Sequence, residues 1–173
     1  MNLQTPRILW LGLLSSTFMF MVVGFVGAPQ DLELDPTMLY VFAGLGVMEV
    51  VMSFLLPAHI RRRSYLDAKF AVEEVPDAKA EAMFRDSPPM IRQFAEPEKV
   101  RARLGALSWT AFIIELAMGD AVAVFGLVLA MLGGDPMEWL PFMVVGALLI
   151  AIRFPTEARF VKALERVYDA RMP

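Results

Sequence analysis

Residues 107–136 read LSWTAFIIELAMGDAVAVFGLVLAMLGGDP. Between Leu107 and Gly133 only Glu115 and Asp120 carry charge. A helix rising 1.5 Å per residue needs about 20 residues to cross a hydrocarbon core of about 30 Å, so this stretch is long enough to span a bilayer. Gly133-Gly134-Asp135-Pro136 then supplies turn chemistry, and apolar sequence resumes at once over 138–154. The reading is a helical hairpin.

Upstream the pattern repeats. Residues 9–27 and 38–57 are apolar, and the segment joining them begins with Gly27-Ala28-Pro29 and ends with Asp35-Pro36. The fold class expected is therefore an all-α membrane protein, a four-transmembrane-helix bundle of two hairpins spanning at about 9–27, 38–57, 107–133 and 138–154. Pro57 and Pro155 stand at the inner ends of the second and fourth spans, where proline ends or kinks a helix. Val26-Gly27-Ala28 resembles a signal-peptide cleavage site. The apolar run over 8–27 is longer than a signal core, however, and Pro29 would follow the cut directly, so the first span is expected to be retained.

Composition agrees: 57% of the 173 residues are hydrophobic and 20% charged, with a mean hydropathy of +0.54, too apolar for a soluble domain of this size. With no cysteine, disulfides, thiolate metal sites and a cysteine nucleophile are excluded, and the single histidine, His59, excludes a multi-histidine site. No nucleophile stands beside a base or a metal cluster, so the chain is read as not an enzyme. No cofactor, metal or nucleic-acid partner is expected.

Orientation follows from Lys and Arg. All 16 fall in three places: Arg7, the stretch Arg61 to Arg103, and the stretch Arg153 to Arg171. The two short hairpin loops hold none; they carry Asp31, Glu33, Asp35, Asp135 and Glu138 instead. The positive-inside rule puts both termini and the central loop 58–104 in the cytoplasm of a bacterial inner membrane. That loop is too long for a simple turn and is expected to hold structure of its own. Arg61, Arg62 and Arg63 continue the second span and face anionic lipid headgroups. Asp86-Ser87-Pro88-Pro89 breaks any helix, and Pro97 suits the first turn of a helix leading into the third span. In the tail 155–173, Val161, Leu164, Val167 and Tyr168 share one side, an amphipathic stretch expected to lie on the inner membrane surface.

Three acids sit inside predicted spans. An ionised carboxylate at a helix centre costs about 2.5–3.5 kcal/mol on the insertion scale, so such residues face the protein interior and serve a purpose there. Glu49 and Asp120 fall near the middles of antiparallel spans and are expected to meet, at least one in its neutral form. Ser15, Ser16, Thr17 and Ser53 are candidate hydrogen-bond partners. Glu115 points to another face, about 7 Å nearer the cytoplasm, with Arg153 as its candidate ion-pair partner. Two uses remain open, interhelical hydrogen bonding and a proton or ion path through Asp120, Glu49 and Glu115. Gly119/Ala123, Gly126/Ala130 and Gly12/Ser16 have the small-xxx-small spacing that lets helices approach, within one chain or between chains. Trp10, Trp109 and Trp139 lie near span ends, as an interfacial belt requires.

The run Asp120-Ala121-Val122-Ala123-Val124-Phe125-Gly126-Leu127-Val128-Leu129-Ala130 resembles the second helix of the rotary ATP synthase c-subunit, where a carboxylate takes up and releases the transported ion. That resemblance implies such a role for Asp120 alone. The chain departs from that family in its first helix, reduced to Gly44-Leu45-Gly46, in its far longer joining loop and in two extra spans. Across most of its length it resembles a group of small uncharacterised bacterial four-span inner-membrane proteins, through Glu115 to Gly133 and through Phe154-Pro155-Thr156-Glu157 to Arg166. The expected function is that of an accessory or scaffold protein of the inner membrane, whose partners are lipid, anionic headgroups and a second copy or another membrane protein. The alternative is proton or cation translocation through Asp120 and Glu49.

Overall fold

A computed structural model describes residues 3–29, 32–77 and 89–173. In chain order they form α1 (Gln4–Gly27), α2 (Pro36–Asp67), β1 (Val72–Pro76), β2 (Met90–Phe94), α3 (Pro97–Met131), α4 (Pro136–Ala151) and α5 (Glu157–Tyr168). The protein is mostly helical, and α1, α2 and α3 are each long and apolar enough to cross a membrane. α4 is apolar but has 16 residues, about 24 Å of helix. Asp31 and Asp86-Ser87-Pro88, read above as an outer acid and a helix breaker, lie outside the described residues.

The chain divides into two compact units. The helical unit comprises Gln4–Ala58 and Ala111–Pro155. Within it α3 and α4 form an antiparallel hairpin whose register is set by small residues. A Cβ on Gly126 would lie 2.7 Å from the Trp139 carbonyl oxygen, one on Gly146 2.8 Å from Ala123, and one on Gly119 3.0 Å from the Ile150 side chain. The stripe of small residues on α3 is therefore used inside the chain, whereas Gly12 has open space around it. At the hairpin turn Gly133 has φ 89, and a Cβ there would meet the Leu32 carbonyl oxygen at 2.5 Å, so only glycine fits. Leu129, Ala130, Trp139 and Met143 form the buried core beneath that turn. Trp139, 1% exposed and edge-on to Phe25 at 4.8 Å, belongs to this core rather than to a lipid-facing belt, because Gly24 leaves room for its ring and Gly126 lets its main chain approach α3.

α1 is tied to the end of α4. Trp10 Nε1 donates at 2.7 Å to the Ile150 carbonyl near the end of α4, an oxygen that also accepts from Arg153 N–H at 3.0 Å. Its ring stands edge-on to Phe154 at 5.0 Å. Pro57 does not end α2, which runs through it to Asp67.

The loop–tail unit comprises Met1–Leu3, His59–Thr110 and Thr156–Pro173. β1 and β2 pair antiparallel from Val72↔Phe94 to Pro76↔Met90, and the C-terminus joins the free edge of β2 through Phe94 N–H to Arg171 O and Arg171 N–H to Arg92 O. Phe70, Phe94 and Tyr168 cluster with ring centroids 5.4–6.2 Å apart. The Tyr168 hydroxyl donates to the Tyr65 carbonyl at 2.6 Å and accepts from Phe70 N–H at 3.1 Å, while the buried Tyr65 hydroxyl meets Ser108 Oγ at 2.7 Å. α5 starts on Thr156, whose side chain accepts from Arg159 N–H, and stops at Asp169 in the left-handed region, φ 49.

α5 is amphipathic; on its apolar side Phe160 and Leu164 are buried within the protein, while Val161, Val167 and Tyr168 are half-buried.

Candidate functional site: the polar groups of the apolar helices

Pro57 has no N–H, so inside α2 the carbonyl four residues earlier, that of Ser53, loses its helical donor. Arg153, just past the end of α4, supplies the replacement. Its Nη2 donates to Ser53 O at 3.0 Å and to Ser53 Oγ at 2.7 Å, and its Nη1 donates to the main-chain carbonyl of Glu115 on α3. Ser53 Oγ in turn donates to Val50 O at 2.7 Å. The guanidinium lies over the Phe54 ring, 5.2 Å from its centroid. Arg153 is 2% exposed, Ser53 1% and Glu115 6%. One buried cation thus joins α2, α3 and the end of α4, with Glu115 as the buried acid at that level. A guanidinium suits this position because its fixed fork of donors reaches several acceptors at once.

Asp120 is placed elsewhere. Its Oδ1 accepts from Ser16 Oγ at 3.3 Å, a long contact that links α3 to α1, and the same hydroxyl is 2.8 Å from the Leu13 carbonyl. Thr17 is buried and donates to Leu13 O at 3.1 Å, while Ser15 is exposed. Glu49 is half-buried and has no hydrogen-bond or ion-pair partner among the described residues. Glu115, Asp120 and Glu49 accordingly occupy three separate settings, and no hydrogen bond among the described residues joins Asp120 to Glu49. Ser53, expected to serve the acids, serves Arg153 instead. Arg62 and Arg63 are exposed and Arg61 is half-buried on the last turns of α2. Among the described residues no group of three or more His, Cys, Asp or Glu is arranged to hold a metal ion.

Two features lie outside the sequence reading. The Pro57–Ser53–Arg153 link was open to inspection, since the i−4 rule names Ser53 as the carbonyl Pro57 releases. The second is a cleft of ≈ 630 Å³ in the loop–tail unit, between β1, β2 and α5, with Arg92, Lys162, Arg166 and Arg171 in its wall. No local motif announces it.

Comparison with protein-family models, curated proteins and solved structures finds no match. What fold and site define is a class: a mostly helical protein with three membrane-length apolar helices and a buried arginine locking apolar segments together.

Proposed function

We propose that the chain is a multi-pass protein of the bacterial inner membrane, crossing it four times with both termini and the loop–tail unit in the cytoplasm, and that it acts as an accessory or scaffold protein. α4 is the fourth crossing in this reading. It returns along α3 from the Gly133 turn to the level of Glu115, and Ile152–Phe154 extend it toward the thickness of the core. A fourth crossing also keeps the five basic residues of the tail on the same side as the ten of the central loop.

The observation that carries the reading is the joint folding of loop and tail. Tyr65 and Tyr168, 103 positions apart, are hydrogen-bonded within one core. A segment that only connects spans needs no core of its own. On its surface Arg92, Lys162 and Arg166 line the cleft without an ion pair among the described residues, and Arg171 reaches Asp77 only at 3.4 Å. The cleft also holds Glu74, opposite Arg92 in the strand pair, Asp169, and Glu165, whose Oε1 accepts from Met172 N–H at 2.8 Å. Unpaired cations of this kind suit an acidic segment of a partner or anionic headgroups. Translocation through Asp120 and Glu49 has less support, because a proton path needs a relay of polar groups and these two carboxyls share no partner.

Purified protein in liposomes tests the two readings against each other. The scaffold reading expects proton and sodium flux at the level of protein-free vesicles. A flux that Asp120→Asn abolishes would overturn it in favour of translocation. Photo-crosslinkers at positions 92 and 162 in native membranes are expected to capture a discrete partner or lipid, and the capture is expected to fall when Arg166 and Arg171 are changed to Gln.

A further inference from the structure

Where α1 ends and α3 turns into α4, the helical unit holds a pocket of ≈ 310 Å³ whose wall includes Phe25, Pro29, Asp135, Pro136 and Trp139. Electron-rich groups converge on it. The Phe25 carbonyl would take its helical hydrogen bond from the N–H of residue 29, and Pro29 has none. No other group among the described residues donates to that oxygen. α1 and α3 both end at this pocket, so the negative ends of two helix dipoles meet there. Asp135 adds an exposed carboxylate, and Glu138, whose Oε2 accepts from Asp135 N–H at 2.9 Å, brings a second acid to the same turn. The Phe25 ring is 60% exposed and offers a π face. The Trp139 indole N–H is buried and does not open on the pocket.

Nothing positive balances these groups. The helical unit contains two basic residues, Arg7 and Arg153, and both stand at its other end, Arg7 in the first turn of α1 and Arg153 just past the end of α4. We propose that the pocket binds a small organic cation, an alkylammonium, with its charge against Asp135 and the Phe25 carbonyl and its carbon groups on the Phe25 ring. The volume is that of a small-molecule site. A metal ion is a poorer fit, since calcium takes about six to eight oxygen ligands and the wall holds one carboxylate. Two sources offer the ammonium chemistry, a free solute such as choline and an ethanolamine lipid headgroup. The inference is independent of the scaffold role; it uses the four-span reading only for the side from which the ligand arrives, the outer one.

Isothermal titration of the intact protein in an uncharged detergent tests the site, with choline as the probe. Choline is expected to bind saturably, and the uncharged alcohol in which carbon replaces its nitrogen is expected not to bind. Asp135→Asn, which keeps a good N-cap residue on α4, should weaken choline about ten-fold, the equivalent of about 1.4 kcal/mol, with the melting temperature unchanged. Phe25→Leu should weaken it about two- to five-fold. Glu33→Gln, an exposed acid of the same side that is outside the wall, should change nothing. Displacement of choline by added phosphatidylethanolamine but not by phosphatidylglycerol assigns the ammonium to a headgroup; no displacement by either assigns it to a free solute. The proposal is overturned by the absence of saturable choline or ethanolamine binding, by equal binding of the uncharged alcohol, or by equal competition from sodium or calcium. Wild-type affinity in Asp135→Asn, or a loss in Glu33→Gln as large as that in Asp135→Asn, overturns it as well.

Discussion

Arg153→Met in combination with Pro57→Ala probes the lock that joins α2, α3 and α4. Arg153→Met removes two hydrogen bonds to Ser53 and one to the Glu115 carbonyl, all made by a charged donor in a buried site. Such bonds contribute about 1.5–3 kcal/mol each in water-soluble proteins, and an orphaned carbonyl costs about 1–3 kcal/mol. Polar contacts between membrane helices average nearer 0.6 kcal/mol, because the unfolded chain also finds partners. The Glu115 carbonyl keeps its helical position in α3, so the orphan left behind is Ser53 O. Together these put the loss for Arg153→Met at about 2–4 kcal/mol. Pro57→Ala returns an N–H to the turn after Ser53 and so gives that carbonyl a second donor. In the Pro57→Ala background the cost of Arg153→Met should therefore fall by about 1–2 kcal/mol. Equilibrium unfolding of the detergent-solubilised protein, followed by the emission of Trp10 and Trp139, measures both terms. Additivity of the two substitutions within about 0.5 kcal/mol would refute the reasoning that Arg153 stands in for the amide Pro57 lacks.

Asp120→Asn should be nearly silent in the same unfolding assay, because the amide still accepts from Ser16, while Asp120→Leu should loosen α1 from α3 by about 0.6 kcal/mol. Gly146→Leu, whose first added carbon would sit 2.8 Å from Ala123, should cost about 1–3 kcal/mol or separate α4 from α3; Gly12→Leu, with open space around it, should leave stability unchanged. Tyr168→Phe removes the hydroxyl that bonds both the Tyr65 carbonyl and the Phe70 amide, and should destabilise the loop–tail unit by about 1–3 kcal/mol. Hydrogen exchange should register that loss at Phe70 and β2 while the amides of α4 stay protected.

The helical hairpin of α3 and α4 was legible because Gly133-Gly134-Asp135-Pro136 allows little else between two apolar runs, and the start of α3 was legible at Pro97. Trp139 was misread as interfacial because nearness to a span end is a rule of position. Its burial depends on the room Gly24 leaves on α1 for the ring, which only the packing of the helices reveals. The β-hairpin was missed for a related reason: Val72-Glu73-Glu74-Val75 alternates over too few residues to stand out, and its partner Ile91-Arg92-Gln93-Phe94 is far along the chain. α5 was identified as amphipathic, yet a hydrophobic face does not say whether lipid or protein covers it. Of the polar residues, the buried acids and Arg153 were singled out by charge in an apolar setting. Which acid meets which partner depends on helix rotation, and sequence periodicity leaves that open.

The central claim is that four segments cross the membrane and leave the loop–tail unit in the cytoplasm. Single cysteines probed with a membrane-impermeant maleimide in intact and permeabilised cells test it most directly, at Met137→Cys, where the side chain is 86% exposed at the start of α4, and at Lys162→Cys on the exposed side of α5. The account expects Met137→Cys to be labelled in intact cells and Lys162→Cys only after permeabilisation. Labelling of Lys162→Cys in intact cells would contradict it, since α4 would then fail to cross and the tail would lie outside.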